Sequence, residues 1–381
     1  MTPARRPSRA TYRRRQITRG SVALTATVVA VVATGLLAGF RVDVYDVAEN
    51  GAEARGSELL TTDVVGIRTF MPGDGVTVTT DVAYGTQPDG ALLTLDVCSP
   101  IRPPTLGGPD PTATADAGAA DSTDTVLPGT TDTEDATPPD LAVPNADPAP
   151  PLLPAVISVH GGSWARGDKG SSDWRLVCQW LANEGFVTYS VNYRLVPDAI
   201  FPAAIDDLQL AVEWVRDLDH AEKYGIDPNR IGAFGGSAGG NLVALLGTSG
   251  RGALTTGSRV AAVAELSGPV DLRATGLVSA VDGLRRITQD YLGCDHLNLC
   301  AQSVDASASS QLDRTDPPVF IGTSSHEFIP VRQSTDFAAQ LDRVGIRHEL
   351  VVVPGDLHSI GILDETMRAR VAGFLHAELG S

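Results

Sequence analysis

The chain has 381 residues, 43% of them hydrophobic, enough to bury the core of one large α/β domain. Its net charge is −17, and because residues 1–41 hold eight arginines and no acid, the rest of the chain is more acidic still. So acidic a body speaks against nucleic-acid binding, and the basic arm is better matched to a membrane.

Residues 1–20 form a basic arm containing Arg5, Arg6, Arg9, Arg13, Arg14, Arg15 and Arg19. Val22 to Phe40 then runs without a charge. As a helix at about 1.5 Å per residue this run is close to the ~30 Å hydrocarbon core of a bilayer. Positive charge before it and acid after it predict an arm in the cytoplasm and a body across the membrane. Residues 21–41 therefore read as a transmembrane anchor. The alternatives are a cleaved signal peptide, favoured by the small residues from Ala33 to Gly39, and a twin-arginine export signal around Arg14-Arg15.

Residues 42–75 show no pattern and read as a connector. From Val76 the period becomes two: Val76, Val78 and Thr80 alternate with Thr77 and Thr79, Gln87-Pro88-Asp89-Gly90 turns, and Ala91 to Val97 returns, a β-hairpin opening the folded domain at 76–381. Residues 101–154 are a Pro/Ala/Thr/Asp tract with almost no bulky apolar groups, expected to be a disordered surface insertion. Strands and helices alternate after it. The expected strands are Ala155–Val159, Phe186–Val191, Ile231–Phe234, Val260–Leu266, Pro318–Ile321 and Glu349–Val353. The expected helices are Trp174–Asn183, Ala203–Leu218, Leu242–Leu246, Val331–Val344 and Glu365–Ala377. This order predicts a mostly parallel sheet with helices on both faces, where sites gather outside the carboxyl ends of the strands.

Four cysteines, Cys98, Cys178, Cys294 and Cys300, lack the spacing of a zinc site. In an exported chain an even count suggests disulfides. Cys294 and Cys300 close a short loop, worth roughly 2 kcal/mol by chain entropy, which leaves Cys98 with Cys178. In a cytosolic chain the same four would be free thiols.

The chemistry converges on Gly235-Gly236-Ser237-Ala238-Gly239, between the strand ending at Phe234 and the helix at Leu242. That context fits a nucleophile elbow, a sharp turn lifting a serine hydroxyl above the sheet, with glycines where a Cβ would collide with the crossing helix. Ser237 is the candidate nucleophile. His160-Gly161-Gly162-Ser163-Trp164 follows another strand. The N–H groups of Gly161, Gly162 and Ala238 are candidates for an oxyanion hole, worth roughly 3–4 kcal/mol per donor in the transition state. His160 and Trp164, flanking the glycines, are candidates for substrate contact. Of seven histidines, His358 lies on a loop after a strand and in the chain order nucleophile, acid, histidine, so it is the candidate base. The loop after Pro318–Ile321 holds one carboxylate, Glu327, the candidate acid that would orient the imidazole.

His160-Gly161-Gly162-Ser163-Trp164, Asn192-Tyr193-Arg194-Leu195, Phe201-Pro202-Ala203-Ala204 with Asp206-Asp207, the elbow, Tyr291-Leu292-Gly293-Cys294 and Pro354-Gly355 together resemble the α/β-hydrolase esterases and lipases of the hormone-sensitive-lipase-like group. The resemblance covers residues 76–100 and 155–379. It implies ester hydrolysis with Ser237 attacking, His358 as base and a carboxylate as third member. It also implies that the Asn192 and Asp206 regions brace loops rather than react. The chain departs from the family pattern at one place. An aspartate is usual four residues before the acid-loop proline, and here that residue is His326, with Glu327 next.

The expected protein is thus an α/β-hydrolase on an N-terminal anchor, a serine carboxylesterase or lipase for a small-molecule or lipid ester. It calls for no metal or organic cofactor and no nucleic-acid partner. A serine peptidase or an arylformamidase-like amidohydrolase of the same fold, or a non-catalytic interaction module, are the alternatives.

Overall fold

The computed structural model describes residues 64–101 and 150–380. Strand β1 (Val76–Thr86) turns into β2 (Leu92–Pro100), and β3 (Leu153–Val159), α1 (Ser172–Asn183) and β4 (Val187–Val191) follow. Next come α2 (Ala203–Arg216), α3 (Leu218–Tyr224), β5 (Ile226–Gly236), α4 (Ala238–Thr248) and β6 (Ala262–Leu266). After α5 (Asp282–Leu292) stand two single-turn helices, α6 (Gln302–Asp305) and α7 (Ala308–Gln311). The chain closes with β7 (Val319–Ser324), α8 (Arg332–Val344), β8 (His348–Val353) and α9 (Glu365–Leu379).

The strands form one eight-stranded sheet in the order β1-β2-β4-β3-β5-β6-β7-β8. β3 to β8 are parallel, and β2 is antiparallel to both β1 and β4. The central strands are apolar at nearly every position because both faces are covered. Alternation sorts their side chains. Ala155, Ile157, Val159, Ala233, Val263 and Ile321 pack with Leu208, Val212, Leu242 and Leu341 of α2, α4 and α8. Val156, Phe234, Ala264 and Phe320 pack with Val177, Trp180, Val371 and Leu375 of α1 and α9. From β3 the chain moves one way to β4 and then back past β3 to β5. That reversal falls between β3 and β5, and the carboxyl ends of strands at such a switch point are where ligands bind in open α/β sheets.

Several boundaries differ from expectation. Packing begins before Val76: a 3-10 turn at Gly66–Thr69 buries Ile67 to 1% exposure in the α1/α9 core. Arg368 of α9 anchors that turn by donating to Gly66 O and Thr69 Oγ1. The single helix expected over Ala203–Leu218 is two, because Asp217 leaves helical geometry and its carboxylate accepts the Asp219 N–H to cap α3. Leu153 and Pro154, placed in the insertion, belong to β3 and extend its pairing to Ile226. The rest of that tract, the basic arm and the anchor expected at Val22–Phe40 lie outside the described residues. Among the described residues no helix is long and apolar enough to cross a membrane.

Two disulfides join Cys98 to Cys178 and Cys294 to Cys300, the pairing expected for an exported chain. The first ties the β1–β2 hairpin to α1. The second closes the loop after α5.

Candidate active site

Ser237 lies between β5 and α4 at φ 59°, ψ −122°, a conformation L-residues seldom adopt and which surrounding structure must hold in place. The Ser237 N–H donates to Leu266 O at the end of β6 (2.8 Å), and the Asn241 N–H donates to Ser237 O (3.0 Å). Close backbone approach explains the glycines. A Cβ on Gly235 would strike Gly239 O, and one on Gly239 would strike the carbonyls of Val159 and His160.

His358 precedes a 3-10 turn at Ser359–Ile362, in the loop after β8. Its Nε2 is 2.8 Å from Ser237 Oγ, and its Nδ1 hydrogen-bonds Glu327 Oε2. The Glu327 side chain is wholly buried, whereas His358 remains 32% exposed. Glu327 Oε1 accepts from Ser267 Oγ (2.7 Å), Thr323 Oγ1 (2.8 Å) and the Ser324 N–H (2.9 Å). Burial alone would raise the Glu327 carboxyl. The hydrogen bond and charge of His358 outweigh it, helped by the Ser324 N–H and the Ser267 hydroxyl, and hold the carboxyl below the ordinary glutamate range. The site therefore presents a hydroxyl, an imidazole and a carboxylate in one hydrogen-bonded chain.

The acid loop is shorter than expected, since β7 runs on to Ser324 and makes Gly322, Thr323 and Ser324 strand residues. His326, which occupies the family's usual acid position, is exposed. Its N–H donates to Gly355 O and its Nδ1 meets Ser325 Oγ, so it turns away from His358. Phe328 stands edge-on to the His358 ring, 6.2 Å between centroids, with 44% of its surface exposed.

At the end of β3, Gly161 lies so close to the elbow that a Cβ there would come within 3.1 Å of Ser237 Cβ. Gly162 has φ 126°, which glycine alone adopts without strain, and its carbonyl accepts the N–H groups of Ala165 and Arg166. Ala238 opens α4, where the first N–H groups have no partner within the helix.

His160 and Trp164, the candidate substrate contacts, lie deep in the fold. Both are buried to 1% exposure. His160 stacks on Tyr193 at 4.4 Å, and the Tyr193 hydroxyl donates to His160 O. Burial pushes the His160 imidazole down, the Gly161 carbonyl and Asp168 opposing the shift. Trp164 stacks on Tyr291 at 4.3 Å, nearly parallel. Each ring thus has one face covered by a tyrosine. The Gly161–Gly162 loop is tied down at Asp168, which accepts from Asn192 Nδ2, while the Lys169 N–H donates to Asn192 Oδ1. Arg194 pairs with buried Asp207 at 2.7 Å.

Sequence reasoning missed Ser267 and Thr323. Thr323 fell outside the strand as drawn, and nothing local ties Ser267 to a loop 60 residues away. Among the described residues no cluster of His, Cys, Asp or Glu is arranged to hold a metal ion.

The BD-FAE family model matches residues 140–341. Among curated proteins, arylacetamide deacetylase of Bos taurus is 42% identical over 96 residues, 25% of this chain and 24% of that one. Esterase LipC of Mycobacterium tuberculosis is 30% identical over 224 residues, 55% of this chain and 54% of that one. The aligned stretches thus cover from about a quarter to about half the length of these relatives. Among solved structures, a truncated form of a carbohydrate esterase from gut microbiota superposes with TM-score 0.59 at 22% identity, over 81% of this chain and 99% of that one, a likeness of fold. The family match spans more than half of the chain, and the protein belongs to the BD-FAE family, with the α/β-hydrolase fold of the esterases it resembles.

Proposed function

We propose that the protein is a serine hydrolase of carboxylic esters working through an acyl-enzyme. The observation that carries the reading is the continuous chain Ser237 Oγ–His358–Glu327 at the carboxyl ends of β5, β7 and β8. His358 Nε2 takes the proton of Ser237 as its oxygen attacks the ester carbonyl. The N–H groups of Gly161, Gly162 and Ala238 would receive the oxyanion. The imidazolium, stabilised by the Glu327 carboxylate, returns its proton to the departing alcohol. Water, deprotonated by the same nitrogen, then releases the acid. Curated relatives named as an esterase and as a deacetylase support this reading.

A second reading has specific support. The name arylacetamide deacetylase attaches amide deacylation to that relative, and the same machinery can serve an amide if His358 protonates an amine. Matched p-nitrophenyl esters and p-nitroanilides of rising acyl length separate the two. For either reading, a fluorophosphonate probe is expected to label the wild type and not Ser237→Ala, and equal labelling of both would refute it.

We also place the catalytic domain outside the cytoplasm, held by the apolar run at Val22–Phe40. Two disulfides in the domain support an oxidising compartment. After membrane fractionation and a carbonate wash the protein is expected in the pellet. Its release would point to a cleaved leader.

A further inference from the structure

We infer that Ser267 is a positioning residue that locks the acid and the base of this site to one another at the end of β6, next to the residue that accepts the nucleophile's N–H. The inference rests on the serine-hydrolase reading of Ser237, His358 and Glu327 and assigns a role to a fourth side chain.

Ser267 follows the last residue of β6 and is completely buried. Its hydroxyl donates to Glu327 Oε1 at 2.7 Å and accepts the N–H of Ser359, the residue after His358, at 2.9 Å. A serine hydroxyl has one proton to give, so donation to the carboxylate and acceptance from the amide define its orientation. Its own N–H donates to Gly322 O at 2.7 Å, fixing it to β7 beneath the acid loop. The preceding residue, Leu266, accepts the Ser237 N–H. Two consecutive residues therefore touch all three segments that carry the reacting groups, segments far apart in the sequence.

Ser267 is held at φ 55°, in the left-handed region that glycine occupies without cost. A glycine here would relieve backbone strain, yet the chain carries a serine whose hydroxyl makes both contacts. Ser359, its amide partner, also has positive φ (57°), and its Oγ fills the space where a Cβ on Gly236 would lie. The loop bearing His358 is thus pressed against the elbow on one side and fastened to Ser267 on the other.

Ser267→Gly removes the hydroxyl while leaving a residue suited to the backbone. Its kcat is expected to fall roughly 10- to 100-fold, the scale of a displaced catalytic group, with KM within about twofold of wild type and no loss in melting temperature. In a Glu327→Gln background the same substitution should cost clearly less than in the wild type, because part of its effect runs through the carboxylate and only the Ser359 contact remains to be lost. A kcat within about twofold of wild type overturns the proposal, and so does a full, multiplicative loss on top of Glu327→Gln. Ser267→Ala provides a second variant should the glycine destabilise the fold. Fluorophosphonate labelling of the wild type distinguishes the two readings: absent labelling defeats the hydrolase reading itself, while normal labelling with an active Ser267→Gly defeats only this one.

Discussion

The Glu327 carboxylate folds back on the end of β7 to accept the Ser324 N–H at 2.9 Å, three residues earlier in the chain. Its second oxygen meets His358, while His326 turns outward onto Ser325 and Gly355. If Glu327 is the orienting acid, these contacts are what fix it.

Glu327→Gln should therefore lower kcat by roughly 10³- to 10⁴-fold, as loss of the orienting carboxylate does in a serine triad, with binding little changed. His326→Ala should stay near wild type. Steady-state kinetics on a p-nitrophenyl ester would measure both, and normal turnover by the Glu327→Gln enzyme would move the acid elsewhere. The Glu327 carboxyl is held low in the folded state, so its contribution to stability is present above the ordinary glutamate value. It is lost as pH falls through the lower folded value. Acid-induced unfolding of Glu327→Gln should accordingly be less steep below about pH 4.5 than that of wild type.

Glu265 gives the opposite pH dependence. It is fully buried on β6, level with Gly235 of β5 and Ile321 of β7, with one oxygen accepting the Gly268 N–H at 2.7 Å. Burial pushes its carboxyl up to about 8, the Gly268 N–H opposing that rise and the Glu327 charge adding to it. Between its unfolded value near 4.5 and its folded value near 8, the folded state holds a proton that the unfolded state has released. This group's contribution is thus complete below 4.5 and declines as pH rises toward 8. Glu265→Gln, neutral and of the same shape, should flatten the fall in melting temperature over that window. Parallel pH profiles for the two proteins would contradict the assignment.

Two glycines should respond in opposite directions to alanine. At Gly239 a Cβ would meet the Val159 and His160 carbonyls, backbone atoms that cannot rotate aside. Gly239→Ala should cost about 3 kcal/mol, the upper end of overpacking penalties, and abolish activity. Gly373 lies on the exposed side of α9, with open space where a Cβ would stand. Gly373→Ala should stabilise by roughly 0.5–1 kcal/mol through helix propensity. Urea unfolding midpoints test both.

The disulfides differ in reach. Cys98–Cys178 spans 80 residues and Cys294–Cys300 spans six. Chain entropy gives about 4 to 5 kcal/mol for the first and about 2 kcal/mol for the second. Replacing Cys98 and Cys178 with alanine should lower the unfolding free energy about twice as much as replacing Cys294 and Cys300. Equal losses would show that native packing around the bonds, rather than loop closure, sets the effect.

The alternation of strands and helices, the parallel sheet, the elbow around Ser237 and the loop bearing His358 were all legible in the sequence. Each is written in short-range signals: apolar runs, period changes, and glycines where backbones must approach. Ile67 was not legible, because its burial depends on α1 and α9, which arrive far later in the chain. His160 and Trp164 looked like substrate contacts from their neighbours Gly161 and Gly162. Only tertiary packing shows that one face of each ring lies on a tyrosine, Tyr193 or Tyr291. Glu327 could be named from the sequence as the one carboxylate on its loop. What holds it in place only the fold decided, because the donors to the carboxylate, Ser267, Thr323 and the Ser324 amide, come together through the pairing of β6 with β7.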